Sequence, residues 1–419
     1  MPALDVRTTG TPDPGALIRL LSPSTPLAFL RDGDGIIGIG EALRLEFSGP
    51  SRIVDAAAAW RRLVAASTVA DAVQLPGSGL VAFGSFAFAD ASASVSLLII
   101  PAVIIGRRDG VAWVTRVFLT APAGGSSFGE RMAPGHTSPE GEHTSAVMPF
   151  SVSLVPGYMP PSAYEAAVSS AVRRIAAGDA SKVVLARDLV GSLPQAADLR
   201  HPLSRLAEDY PDTFTFALDG LIGSSPETLV RVEGSTVSAR VLAGTAPRGE
   251  DAVADAIAET TIASSAKDLA EHAFARASVI TALESHACGV STSAQPFPLA
   301  LPNLWHLASD ITGMLTDGSS SLDLVAALHP TAAVAGAPTA AALTLIAELE
   351  TFDRGRYAGP VGWVGADGAG EWAVALRCAQ VDGTTVRAFA GAGIVSDSDP
   401  ARELAETTLK FQPVVAAFG

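Results

Sequence analysis

A chain of 419 residues, 48% hydrophobic and 17% charged, is long enough for one large α/β unit or for two or three average domains with a substantial core. Its formal net charge of −15 argues against nucleic acid and anionic membrane surfaces as partners, and an anionic substrate would need local cations or a metal. With only Cys288 and Cys378, a disulfide framework and a cysteine-rich metal centre are both excluded.

The N-terminal stretch MPALDVRTTGTPDPG lacks a basic segment followed by an apolar run, so no signal peptide is expected. The most apolar window, VSLLIIPAVIIG (95–106), is too short for a membrane span and contains Pro101. A cytoplasmic protein without a membrane partner is expected. Residues 1–120 read mostly as strands and turns: VAFGSFAFA alternates, and SLLIIPAVII with GVAWVTRVFL reads as paired strands around RRDG. Residues 121–146 are rich in Gly, Pro and Ser with little to bury, the composition of a flexible surface loop. We therefore take 1–150 as a variable N-terminal part and 151–419 as the catalytic portion.

Beyond the loop, Ser162 and Glu165 have capping-box spacing and open a helix that should end at Gly178. The strand SKVVLARDL (181–189) follows. Residues 223–249 read as strands with a turn at Glu233–Gly234, and 251–287 as helix in two pieces, the second starting at Ser265. A helix near 337–350, two more strand regions and a last helix opened by Asp399 and Pro400 complete the pattern. Strands outnumber those of a βαβ series and hairpin signals recur. The expected class is α+β, with large antiparallel sheets.

Only three of the 28 Lys and Arg residues are lysines: Lys182, Lys267 and Lys410. Arginine is in effect permanently protonated, whereas a buried lysine can lose its proton and act as a base. Asp268 with Glu271, and Glu403 with Glu406, are acidic pairs three residues apart, each on one helical face, and Lys410 stands four residues beyond Glu406. Such pairs are usually solvated faces. Two such helices facing each other would instead make a hard-cation site. Glu227 follows Ser225-Pro226 at a turn, where glutamates are usually exposed. Gly244-Thr245 and Gly391-Ala392-Gly393 sit where a ligand could approach the backbone, or in ordinary turns. His306 and His329 read as ligands or as core histidines. Arg377, in the apolar run VALRCAQV, needs an anionic partner if buried, and a substrate carboxylate would serve.

Taken in order, SKVVLAR, GSSPETLVRVEG, LAGTAPRG, KDLAEHAF, LHPTAAVAGAP, DRGRYAGPVGW, ALRCAQ and AGAGIVSDSDPARELAETTLK resemble the chorismate-utilising enzymes, over roughly residues 155–417. That family includes isochorismate, salicylate, anthranilate and aminodeoxychorismate synthases. The resemblance implies one αβ sandwich, to which the N-terminal part adds strands, and dependence on Mg²⁺. It implies Glu271 and Glu406 as metal carboxylates supported by Asp268 and Glu403. Arg377, Tyr357, Gly244, Thr245, Gly391, Gly393 and Lys410 would hold substrate, with His306 and His329 near the pocket. Lys182 matches the residue that activates water, which ammonia-using members lack, and Glu227 matches the general acid.

Two positions refine the subclass. Ala243 stands where aminodeoxychorismate synthases carry a nucleophilic lysine, and Ala333 where amide-using and lyase-type members usually have threonine. The expected activity is that of an isochorismate synthase serving menaquinone or a catechol siderophore, monomeric and without a glutaminase subunit. The alternatives are a salicylate synthase, which also eliminates pyruvate, and a catalytically silent chorismate-binding protein.

Overall fold

Strands such as Phe214–Leu218 (FTFAL) and Leu221–Ser225 (LIGSS) are buried at every position, so each must be covered on both faces. Successive side chains of a strand point to opposite faces. Phe216 accordingly joins a cluster with Phe29, Phe83 and Trp372, while its neighbour Ala217 joins another with Leu203, Leu206, Phe411 and Phe418. The first cluster takes in residues of both sheets and of helices packed on them, and the second lies between the larger sheet and its covering helices.

The computed structural model describes residues 2–120 and 146–419. The flexible loop expected at 121–146 falls outside the described residues except for its last position. Eight α-helices are present among them: α1 (Arg52–Ala66), α2 (Pro161–Ala176), α3 (Arg200–Asp209), α4 (Ala252–Ser264), α5 (Ala266–Glu284), α6 (Ser321–Leu328), α7 (Thr339–Leu349) and α8 (Pro400–Phe418). None is long and apolar enough to cross a membrane.

The two sheets have thirteen and ten strands. In the larger, Lys182–Ser192 pairs antiparallel with Thr385–Ile394, and the order continues through Cys378–Asp382, Leu221–Ser225 and Phe214–Leu218 into strands from the first 120 residues. In the smaller, Leu304–Leu315, Thr236–Pro247, Thr228–Glu233, Gly370–Val374 and Pro360–Gly365 lie side by side, followed by Val81–Ser85. Apart from Ala3–Thr11 against Thr68–Asp71, the strand pairs are antiparallel. The α+β sandwich is thus the one expected.

Local expectations fared unevenly. Ser265 caps α5 by accepting from the Asp268 amide, and Asp399 caps α8 by accepting from Arg402. The Ser162–Glu165 box is not made: Pro160 is the N-cap of α2, and proline occupies its first turn without a side-chain cap bond. Helices α1, α3 and α6 were not anticipated. The paired strands around RRDG are Val103–Arg108 and Val111–Thr120, whereas Ser96–Ile100 belongs to the other sheet, because the chain changes sheets at Pro101.

Helix α8 is held where the site needs it. Arg187, on the strand Lys182–Ser192, donates to the hydroxyls of Thr407 and Thr408 at 2.7 and 2.9 Å and lies over the ring of Phe411. Pro413 inside α8 cannot donate to the carbonyl of Leu409, and the Asn303 side chain donates there instead at 3.0 Å.

Candidate active site

A cavity of about 560 Å³, partly open to solvent, lies where the site strands of both sheets approach α5 and α8. Glu227, Gly244, Thr245 and Glu271 line it, as do His306, Ala333, Tyr357, Arg377, Gly391, Gly393 and Lys410. Of the residues singled out from sequence, Lys182, Asp268, Glu403 and Glu406 stand just behind this wall. His329 is elsewhere. Its Nε2 lies 2.9 Å from the carbonyl of Phe88, edge-on to that ring, so it is one of the satisfied core histidines and its expected place beside the pocket is corrected.

The anion-facing side is built from strand irregularities. Gly244 has φ +82 and marks a register shift against Leu304–Leu315, so the backbone bulges toward the cavity within a strand rather than after it. The freed Gly244 carbonyl meets Nδ1 of His306 at 3.0 Å, and Nε2 of the same ring lies 2.9 Å from Arg377 Nη2. A guanidinium can only donate, so Nε2 accepts and Nδ1 carries the proton. Burial, with Arg377 and Lys410 adding to it, pushes the His306 pKa far down and keeps the ring neutral. Arg377 lies just before the strand Cys378–Asp382, not inside it, at φ +46. Its side chain is 7% exposed and finds histidine, not a carboxylate. Its charge is therefore left for an incoming anion.

Glu227 sits between the strands Leu221–Ser225 and Thr228–Glu233 and is 4% exposed, against the usual expectation for a turn glutamate. Burial raises its pKa to about 8, although Lys182, Arg377 and Lys410 oppose the shift. Near neutral pH it is a protonated acid within electrostatic reach of those three cations.

The three lysines share one environment. Lys182 Nζ lies 3.2 Å from Glu271 Oε1, Lys267 Nζ 2.6 Å from Glu403 Oε1, and Lys410 Nζ 2.6 Å from Glu406 Oε1. Each meets a different carboxylate from the two acidic helices. The Lys182 contact is an ion pair without an aligned hydrogen bond, so its buried ammonium has donors to spare. Lys410 also donates to the Gly391 carbonyl at 2.9 Å. Burial raises the pKa of Asp268, with Glu271 and Glu406 adding to the shift, and burial plus Glu406 does the same for Glu403. The four acids therefore act on one another as a cluster.

Oxygen-only donors on two helices suit a hard cation, and the lysines supply positive charge at the same carboxylates. Among the described residues no three Asp, Glu, His or Cys side chains converge closely enough to hold an ion as they stand. Binding one would require the carboxylates to leave their lysines. Gly393 leaves room for this arrangement: a Cβ there would collide with Glu271 and lie 2.9 Å from Lys182 Cε.

One buried charged side chain lining the cavity was not singled out from sequence. Arg354 is paired with Glu350 and donates to the carbonyls of Val334 at 2.9 Å and Val184 at 2.7 Å. Glu350 in turn accepts from the Ala186 amide at 2.8 Å. The pair ties the Lys182 strand to the loop carrying Ala333. The segment DRGRYAGP was legible as a motif, but nothing in it distinguishes Arg354 from Arg356.

A family model described as chorismate binding enzyme matches residues 24–419. Over 271 residues the chain is 40% identical to the isochorismate synthase DhbC of Bacillus subtilis (strain 168), covering 62% of this chain and 68% of that protein. Over 261 residues it is 38% identical to the isochorismate synthase EntC of Escherichia coli (strain K12), covering 61% and 67%. Among solved structures, MenF, the menaquinone-specific isochorismate synthase of Escherichia coli, matches with a TM-score of 0.78 over 100% of this chain and 95% of that one. At 23% identity this is a likeness of fold.

Proposed function

The chain belongs to the chorismate-binding enzyme family, and from that premise we propose that it is an isochorismate synthase, adding water at C2 of chorismate and releasing the C4 hydroxyl. The observation that carries this reading is a glutamic acid kept protonated to about pH 8 within electrostatic reach of a buried lysine whose Nζ has no hydrogen-bond partner. A base and an acid of this kind are what the exchange of hydroxyls needs.

Arg377, steadied by His306, would hold one substrate carboxylate, with Lys410, Tyr357 and the backbone at Gly244, Thr245 and Gly393 completing the cradle. A bound Mg²⁺ would fix the other carboxylate and offset its charge, held by Glu271 and Glu406 with Asp268 and Glu403 in support. Once Glu271 is released and the Lys182 ammonium has given one proton to solvent, its neutral amine takes a proton from the attacking water; a permanently charged guanidinium could not do so. As the new C–O bond forms at C2 and the ring double bonds shift, Glu227 gives its proton to the C4 hydroxyl, which leaves as water. The acid and base exchange forms, so the reaction is reversible and needs no redox partner. Ala333 in the cavity wall, rather than threonine, favours release of isochorismate over pyruvate elimination.

Purified protein incubated with chorismate and Mg²⁺ and followed by proton NMR tests the proposal. Isochorismate rising to a plateau with chorismate remaining is the expected outcome. Salicylate with pyruvate would move the protein to the lyase-competent subclass, and binding without turnover would leave a silent chorismate-binding protein.

A further inference from the structure

Lys182 and Lys410 each have a part in the proposed reaction, but Lys267 has none, although it is tied to the same acidic cluster. It lies in the first turn of α5 beside Asp268, and its side chain crosses to the first turn of α8, where Nζ meets Glu403 Oε1 at 2.6 Å. The Glu403 side chain is 1% exposed, whereas Lys267 is 31% exposed. A carboxylate that deep is costly to leave unpaired. Burial opposes the charged form of Lys267, yet Glu403, Glu406 and Glu271 outweigh burial and raise its pKa. One ammonium therefore serves three of the four acids.

The residue type is informative. A guanidinium grips a carboxylate through parallel hydrogen bonds in a fixed fork, whereas an ammonium is a compact, well-hydrated and mobile point charge. Elsewhere this chain locks buried carboxylates with the fork, as in Arg354–Glu350 and Arg200–Asp198. At the acidic cluster it uses lysine at all three ion pairs. Lys267 is also the most exposed of the three lysines and so the freest to swing into solvent.

Resting on the magnesium reading above, we propose that Lys267 is an exchangeable internal counter-cation, which pairs with Glu403 in the cation-free enzyme and competes with the divalent ion for the acidic cluster. It sets how tightly the ion binds before any chemistry occurs.

Manganese(II), an oxygen-preferring stand-in for magnesium, can be titrated into the metal-free full-length protein, with the free ion followed by electron paramagnetic resonance. No turnover is needed. Lys267→Met removes the competitor and is expected to tighten binding roughly fivefold, while Lys267→Arg substitutes the fork and is expected to weaken it by a similar factor, the scale of a partly exposed ion pair. A simple structural role would instead weaken binding in both variants, and weaker or unchanged binding in Lys267→Met overturns the proposal. If Lys267→Met does not fold, Lys267→Gln, which also removes the charge but keeps a polar tip, takes its place, with weaker or unchanged binding as the refuting result. Wild-type protein that binds no manganese overturns both this proposal and the magnesium reading. Binding indifferent to substitution at position 267 overturns this proposal only.

Discussion

Replacing Glu227 with glutamine should change the heat resistance of the protein in a pH-dependent way. The carboxyl titrates at about 8 in the fold and at 4.5 without it. Between those values the native state keeps a proton that the unfolded chain has released, so stability falls as pH rises. This contribution is fully present below 4.5 and is lost as pH passes through 8. From pH 6 upward about two units remain, worth roughly 3 kcal/mol at about 1.4 kcal/mol per unit. A chain of this length has an unfolding entropy on the order of 0.9 kcal/mol per kelvin, so the shift in Tm is roughly 3 °C. Glutamine is neutral throughout and has no such dependence. Thermal scans of the wild type and Glu227→Gln at pH 6 and pH 9, without added cation, should show the variant gaining roughly 3 °C relative to the wild type at the higher pH. A constant difference would mean that Glu227 is already ionised at pH 6, and so cannot be the acid.

The site suggests further tests. Arg354→Met leaves Glu350 buried without its partner and frees two carbonyls; a loss of roughly 3 to 5 kcal/mol is expected, seen as a Tm lower by roughly 3 to 6 °C. Gly393→Ala places a methyl group against Glu271 and Lys182 Cε, and turnover should fall roughly a hundredfold while circular dichroism remains that of the parent. In the wild type, kcat/KM should decline above about pH 8 as Glu227 loses its proton. A profile that stays flat to pH 10 would count against an acid role.

The sequence made the sandwich class legible because its strands carry continuous apolar runs and its hairpins carry turn residues. Helix α1 was hidden by its place among strands, since its run of alanines gives only a soft amphipathic signal. The acidic pairs were legible as helical faces, but their burial was not: whether Asp268 and Glu403 face water or each other depends on how α5 and α8 meet the sheets. His306 and His329 illustrate the same limit. Both are histidines in apolar segments, and only the fold buries one against Arg377 and leaves the other half-buried against Phe88. Arg377 was recognised as a cation needing an anionic partner if buried, but its neutral histidine partner comes from a strand 71 residues away. Lys267 had no account from sequence because Glu403 is 136 residues further along the chain.

Water attack at C2, with Lys182 as the base, is most directly tested by running the reaction in heavy-oxygen water and analysing the isochorismate by mass spectrometry, beside Lys182→Ala. The account predicts that the C2 hydroxyl carries the solvent isotope in the wild-type product and that the variant forms no product. Isochorismate retaining only the original oxygen, or full turnover by Lys182→Ala, would contradict it.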